Sequence, residues 1–354
     1  MSSDPNSQIF NEYIVQGEGT QKQRAENWQI AIGLQDVDRL QNSAYLFETA
    51  RQHIEGDIDI AAVQQRIEDY YRTEEGRKLA TERTDEADIV AARISGILAE
   101  KTFSFIPAIY ANLHKRLFSG VFPHAGEFRK VNISKKEWVL DGESVLYTPC
   151  DVLSETLEFD FKEERDFSYA NLSAEDAVRH IAKFISGIWQ IHPFMEGNTR
   201  TTAVFTILYL RMFGFKACNE PFRDHSWYFR NALVRASYSN YSQGISATTV
   251  YLERFFENLL FAGKNELKNR YCHIRWENEE NSQSANPKCK NCTLEEAAVL
   301  KLVAANPKIT QKMIAREIKK SERTVKSITV LLQDKGLLFR KDGKRNGSWV
   351  VKDE

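Results

Sequence analysis

Two helical patterns stand back to back between Ser173 and Gly214, and they commit the middle of the chain to a helical core. The first opens on Ser173-Ala174-Glu175-Asp176, a capping residue with an acid three positions later, and then sets Val178, Ile181, Ile185 and Ile188 at spacings of three and four. The second runs from Thr201 to Phe213 with Val204, Phe205, Ile207 and Leu208 on a wide apolar sector, and it stops at Gly214. Both helices are expected to be mostly buried. The junction between them gathers a His, an acid, a Gly, an Asn and an Arg into nine residues: His192-Pro193-Phe194-Met195-Glu196-Gly197-Asn198-Thr199-Arg200.

Around this pair the composition shifts three times. Residues 1–102 form a polar leader rich in Gln, Glu, Arg and Ala, with helical stretches such as DIDIAAVQQRIEDYYR, while residues 103–262 gain aromatics and hold the main core. Residues 263–291 are polar, broken by one Pro and short of aliphatics, which predicts a linker ahead of a separate module at 292–354. The formal net charge of -1 is uneven, because Lys290 to Glu354 carries 15 Lys+Arg against 8 Asp+Glu. Such a basic module meets nucleic acid or presents a solvated face. No apolar run approaches the roughly 18–20 residues of a membrane span, and the opening MSSDPNSQIFNEYIVQGEGT lacks a basic start and an apolar stretch, so the cytoplasm is the expected address. Cys150, Cys218, Cys272, Cys289 and Cys292 are odd in number and scattered, which fits a reducing compartment; their spacing is poor for zinc.

The junction has a chemistry of its own if the second helix begins near Asn198 or Thr199. Free backbone N–H groups at a helix start, approached through Gly197 where no side chain blocks contact, form a site for phosphate oxygens. Asn198 and Arg200 add donors, and Glu196 makes sense beside bound anions if it holds a divalent cation that bridges them. His192, with an ordinary pKa of about 6.5, is the side chain suited to take a proton from an attacking hydroxyl near neutral pH. Phe194 is expected to turn inward and pin the loop.

HPFMEGNTR resembles the signature of the Fic (Fido) family, H-P-F-x-[D/E]-G-N-x-R. The resemblance extends upstream through LHKRLFSGVFPHAGEFRKVNI and downstream through WYFRNALVRASYSN, over roughly residues 104–262. It implies a mainly α fold with one small β-hairpin, and transfer of AMP from ATP to a Tyr, Thr or Ser hydroxyl of a target protein or of the chain itself. By position it implies His192 as general base, Glu196 as the Mg2+ ligand, and Gly197, Asn198, Thr199 and Arg200 around the phosphates. Tyr228 and Asn231 are weaker candidates for contact with the adenine, with helix packing as their other role. The segment 135–147 holds Asp141-Gly142 between β-prone runs, a hairpin signal, and the resemblance implies a flap there that grips the target backbone by strand addition.

Two positions depart from many members of the family, which carry Gly where this chain has Thr199 and a second Arg where it has Ala203. The second Arg normally helps to hold the terminal phosphate, so another nucleotide donor stays open. Ala50-Arg51-Gln52-His53-Ile54-Glu55-Gly56 is similar to the antitoxin-type inhibitory helix of regulated Fic proteins, with Glu55 expected to enter the phosphate cradle and contact Arg200. A plain helix end stopped by Gly56 is the alternative.

From Thr293 the pattern reads as three helices and a hairpin, with Thr310 and Ser321 as caps, Gly336 as a stop, and turns at Asp342-Gly343 and Asn346-Gly347. It looks like a winged helix-turn-helix, with Arg323, Thr324, Lys326 and Ser327 at the start of the recognition helix and Arg340, Lys341, Lys344 and Arg345 on the wing, so residues 319–345 are candidates for DNA contact or for docking another protein. The competing expectation for the whole chain is a DNA-binding regulator whose Fido domain senses a nucleotide. The oligomeric state stays open, a homo-oligomer included.

Overall fold

A computed structural model describes residues 10–80, 83–215, 220–276, 292–341 and 348–351. The described leader is helical: α1 (Asn11–Gln16), α2 (Gly19–Gly33), a 3-10 turn at Leu34–Asp38, α3 (Ala44–Glu55), α4 (Ile60–Tyr70), α5 (Glu74–Leu79) and α6 (Thr84–Ala99). The core continues with α7 (Pro107–Phe118), α8 (Leu153–Asp166), α9 (Ala174–Ile191), α10 (Asn198–Met212), α11 (Glu220–Asp224), α12 (Ser226–Ala236) and α13 (Val250–Phe261). Then come α14 (Leu294–Ala305), α15 (Gln311–Glu317), α16 (Glu322–Asp334) and an antiparallel pair, β1 (Leu338–Lys341) with β2 (Ser348–Val351), in which Arg340 lies opposite Trp349.

α10 is the axis of this arrangement, with every residue from Asn198 to Leu210 buried. Its sequence is rich in Thr, Val and Ile, which are weak helix formers, so tertiary packing holds it helical. The buried threonines are reconciled with the core locally: Thr201, Thr202 and Thr206 donate to the carbonyls of Gly197, Asn198 and Thr202 at 3.0, 2.9 and 2.7 Å. α9 lies beside it; Ser173 caps that helix by accepting from the Asp176 N–H at 3.0 Å, and Val178, Ile181, Ile185 and Ile188 are buried as their spacing predicts.

The leader is packed onto this centre. α6 packs against α2, α4, α7 and α10, and the 3-10 turn at 34–38 touches α10 and α12. Part of the expected linker also belongs to the core: Leu267 and Cys272 are buried, and Ile274 N–H donates to Val139 O at 2.9 Å. Polar composition misled there because one Leu and one Cys were enough to anchor the strand of chain; residues 277–291 lie outside the described residues. The terminal helices contact the core as well, with Lys301 Nζ donating to Leu259 O at 2.9 Å.

The expected flap is half right. Asp141 (φ 55°) and Gly142 (φ 88°) make the turn, closed by Glu143 N–H to Leu140 O at 3.1 Å. Its flanks are not strands: Trp138–Leu140 winds into a 3-10 turn that buries Val139 and Leu140. Burial of those two apolar side chains outcompetes the extended form that the β-prone runs predicted.

Candidate functional site

The nine-residue junction is a loop fastened from several sides. α9 ends where His192 adopts a left-handed conformation (φ 49°), and α10 begins after Gly197 (φ 72°), which no side chain caps. A Cβ on Gly197 would stand 2.5 Å from the Phe118 ring, so both the backbone angle and the space require glycine. Phe194 is fully buried and stacks on His114 at 3.7 Å between ring centres, which anchors the loop as expected. His114 accepts from the Gly126 N–H at 2.8 Å through Nδ1, which leaves Nε2–H to donate to Glu196 O at 3.0 Å. Burial pushes the His114 pKa down to about 4, so the ring is neutral in the tautomer those bonds require.

Sequence reasoning passed over Arg129, which is buried and ties the start of the loop to the chain at 131 and 148. Its N–H donates to Pro193 O at 2.8 Å, Nε to His192 O at 2.9 Å, Nη1 to Val131 O at 2.8 Å, and Nη2 to Thr148 O. The signal for it lay in the upstream stretch GEFRKVNI, where nothing in the local pattern says that the Arg turns inward.

Asn198 and Thr199 have work other than phosphate binding. Asn198 Oδ1 accepts from Phe194 N–H at 3.0 Å and its Nδ2 donates to Phe194 O at 2.7 Å, so its amide closes the loop on itself. Thr199 Oγ1 accepts from the buried Trp189 Nε1–H at 3.0 Å, a partner that glycine there would not provide. What remains for an anion at the helix start is the backbone and Arg200.

Arg200 is fully buried and occupied. Nε lies 2.9 Å from Asp38 Oδ2, Nη1 donates to Gln35 Oε1 at 3.1 Å, Nη2 pairs with Glu86, and the guanidinium stands 4.9 Å from the centre of the Phe118 ring. All three polar partners come from the leader. Glu55 is not among them: it is exposed, accepts from the Tyr13 hydroxyl, and ends α3 where Gly56 (φ 95°) caps the helix. The plain helix end is thus what the Glu-Gly pair makes, and the acids at Arg200 are Asp38 and Glu86.

His192, the expected general base, is only 3% exposed. Its ring packs on Tyr147 at 4.1 Å and on Trp189 at 5.2 Å between centres. Nδ1 faces Trp189 O at 3.3 Å, and Nε2 is buried without a partner, as is the Tyr147 hydroxyl. Burial, with the charge of Lys135 next, holds the His192 pKa well below its ordinary value. The ring is therefore neutral, with an unused lone pair on Nε2 and an aromatic cover over it.

Glu196 is half exposed, and its carboxylate is 3.8 Å from Lys135 Nζ. Among the described residues no cluster of three or more His, Cys, Asp or Glu side chains is arranged to hold a metal. A lone accessible carboxylate suits Mg2+, which takes one or two protein carboxylates and completes its shell with phosphate oxygens and water.

A cleft of about 350 Å³ lies next to Arg200 and shares Asp38 with it; Val37, Arg39, Lys136, Glu137, Trp138, Trp227 and Arg230 complete its lining. Arg230 pairs with the buried Glu137 at 2.7 Å, and Arg39 and Arg230 stand over Trp227 at 4.5 and 5.0 Å from its ring centre. α12 shows this cleft Trp227 and Arg230, not the expected Tyr228 and Asn231. Those two point into the core, where Tyr228 donates to Tyr251 O at 3.1 Å and Asn231 to Asn269 Oδ1 at 2.8 Å. Helix packing, the other role expected of Tyr228 and Asn231, is the one these contacts fit.

In the terminal module Thr293, Thr310 and Ser321 cap the three helices, and Gly336 (φ 71°) follows the last. Arg323, Lys326, Ser327, Arg340 and Lys341 are exposed and Thr324 half-buried; Lys344, Arg345 and the turns at 342–343 and 346–347 lie outside the described residues. No helix among the described residues is long and apolar enough to cross a membrane.

Comparison with known proteins falls on the same segment. Residues 105–210 match the Fic/DOC family model, a span that takes in α7 to most of α10 and the whole junction. The chain is similar to a crystal structure of a Fic family protein from Desulfovibrio desulfuricans G20, with 13% identity, a TM-score of 0.42, and coverage of 100% of this chain and 98% of that one. No curated protein matches. In a mainly helical fold built around the uncapped start of α10, residues 105–210 of this chain are thus similar to the Fic/DOC family.

Proposed function

We propose that the protein transfers AMP from ATP to a Tyr, Thr or Ser hydroxyl of a target protein or of itself, and that the described state is its closed, resting form. The observation that carries this is the unpartnered Nε2 of a neutral His192 at the end of α9, six residues ahead of Asn198 and the uncapped first turn of α10 that it opens. In the proposed reaction the acceptor hydroxyl attacks the α-phosphorus, its proton passes to His192 Nε2, and the bond to the bridging oxygen breaks to release pyrophosphate. Backbone N–H groups at 198–200 and the Arg200 guanidinium face the phosphates, while the cleft beside Asp38 has room for the nucleoside. Glu196 would hold Mg2+, which supplies neutralisation of the leaving phosphates when bound.

Two contacts support a resting state. Asp38 and Glu86 fill the Arg200 guanidinium, and Tyr147 covers His192. Inhibition is therefore assigned to Asp38 and Glu86, not Glu55. The segment 135–147 remains the proposed dock for a target, since Leu146 beside the cover residue is 85% exposed. The test uses ATP labelled on the α- or the γ-phosphate, with Mg2+, and compares wild type with His192→Ala. Protein should gain label from the α position only and only with His192 present; label from the γ position would identify a different transfer.

A second activity is supported by the exposed Arg323, Lys326 and Ser327 on α16 of a three-helix-and-hairpin module. Duplex DNA is the proposed partner. Titration of the whole chain with DNA at two salt concentrations should show affinity falling steeply with salt; a flat response would point to a protein partner instead.

A further inference from the structure

Glu86 is shared by two arginines, and only one of them belongs to the family signature. Arg200 reaches it from α10 and is sealed from solvent. Arg83, the residue before α6, forks onto the same carboxylate with Nε and Nη2, both at 2.8 Å. Its side chain is 51% exposed, and its backbone is left-handed (φ 60°), a conformation unfavourable for a non-glycine residue. The bond to Glu86, with the charges of Glu86, Asp38 and Glu196 adding to it, raises the Arg83 pKa, and the shared Glu86 carboxylate places Arg83 beside the Arg200 guanidinium. An i,i+3 ion pair at a helix start is common. One carboxylate clasped between a buried and an accessible guanidinium is a different arrangement, because the same two groups would donate to the oxygens of a phosphate. α10 itself offers no second cation there, since Ala203 is aliphatic and fully buried.

We propose that Arg83 is a second polyphosphate-binding residue of this site, taking the terminal phosphate of the nucleotide once the Glu86 carboxylate gives way. This presupposes the nucleotide site proposed above. The experiment measures equilibrium binding of ATP and of AMP, with Mg2+, to the full chain as wild type, Arg83→Asn and Arg83→Lys. Asn tolerates the left-handed conformation and Lys keeps the charge without the fork, so neither variant is expected to unfold. Arg83→Asn should weaken ATP roughly tenfold or more while AMP changes less than about twofold, with Arg83→Lys in between. Equal ATP affinity in wild type and Arg83→Asn, or equal loss for ATP and AMP, overturns the assignment and leaves the nucleotide site standing. If wild type binds neither nucleotide, the site itself fails and Arg83 with it.

Discussion

Replacing Glu86 with Gln tests whether the leader holds the signature arginine shut. Arg200 is fully buried and the Glu86 side chain is 7% exposed, so the variant leaves a buried guanidinium with Asp38, itself 30% exposed, as its remaining anion. Breaking a buried ion pair from one side typically costs about 3–5 kcal/mol, and with Asp38 and Gln35 still in place the lower end, about 3 kcal/mol, is expected. The thermal midpoint should fall by several degrees without nucleotide. The same change vacates the guanidinium for phosphate, and a ligand at about one hundred times its Kd returns about 2.7 kcal/mol. Thermal melting with and without ATP and Mg2+, run on wild type and Glu86→Gln, reads both effects. The ATP-induced rise should be larger in the variant, and AMP transfer roughly tenfold faster. A variant that melts lower but gains no more from ATP than wild type would mean that Glu86 is only structural, and would refute the proposed clamp.

Other consequences follow from the same geometry. Gly197→Ala combines a left-handed backbone with a Cβ 2.5 Å from the Phe118 ring, so chemical denaturation should show a loss of about 2 kcal/mol or more. Tyr147→Ala removes the cover over His192, and titration followed by imidazole NMR should show its pKa rising toward the ordinary value; an unchanged depression would mean that Tyr147 is not what desolvates it. His114 and His53, each pushed down to about 4 chiefly by burial, bind protons more readily in the unfolded chain. Their contribution to stability is complete above about pH 6.5 and is lost as pH falls toward 4, so the thermal midpoint should be level near neutrality and drop through that window, less steeply in His114→Asn.

How far the sequence discloses this arrangement differs from residue to residue. Periodicity and caps found α9 and α10, because Ser173, the i,i+3,i+4 apolar rows and Gly214 are local signals. The inward turn of Phe194 was equally legible, but Gly197 was read as room for an anion, whereas its left-handed backbone and the Phe118 ring are what require glycine there. Partners across the fold were not. Asn198 carries the same donors whether it binds phosphate or closes a loop, and only the position of Phe194 decides which. Glu55 matched a short pattern, whereas Asp38 and Glu86 sit in no pattern and reach Arg200 because α6 and the 34–38 turn pack on α10. The flap was read from a turn signal that is real and from β-prone runs that core burial of Val139 and Leu140 overrides. His192 was identified by residue type, but its cover, Tyr147, lies 45 positions away along the chain and is brought there by the bond from Thr148 N–H to Gln190 O at 3.4 Å.

In the proposed reaction His192 and the start of α10 form a transfer site closed by Tyr147 and Glu86. Intact-mass spectrometry of the Glu86→Gln/Tyr147→Ala protein after incubation with ATP and Mg2+ tests this. An added AMP on the opened protein, less on wild type and none when His192→Ala is introduced as well, is the predicted result. An opened protein that gains no mass, or one that gains AMP as readily without His192, contradicts it.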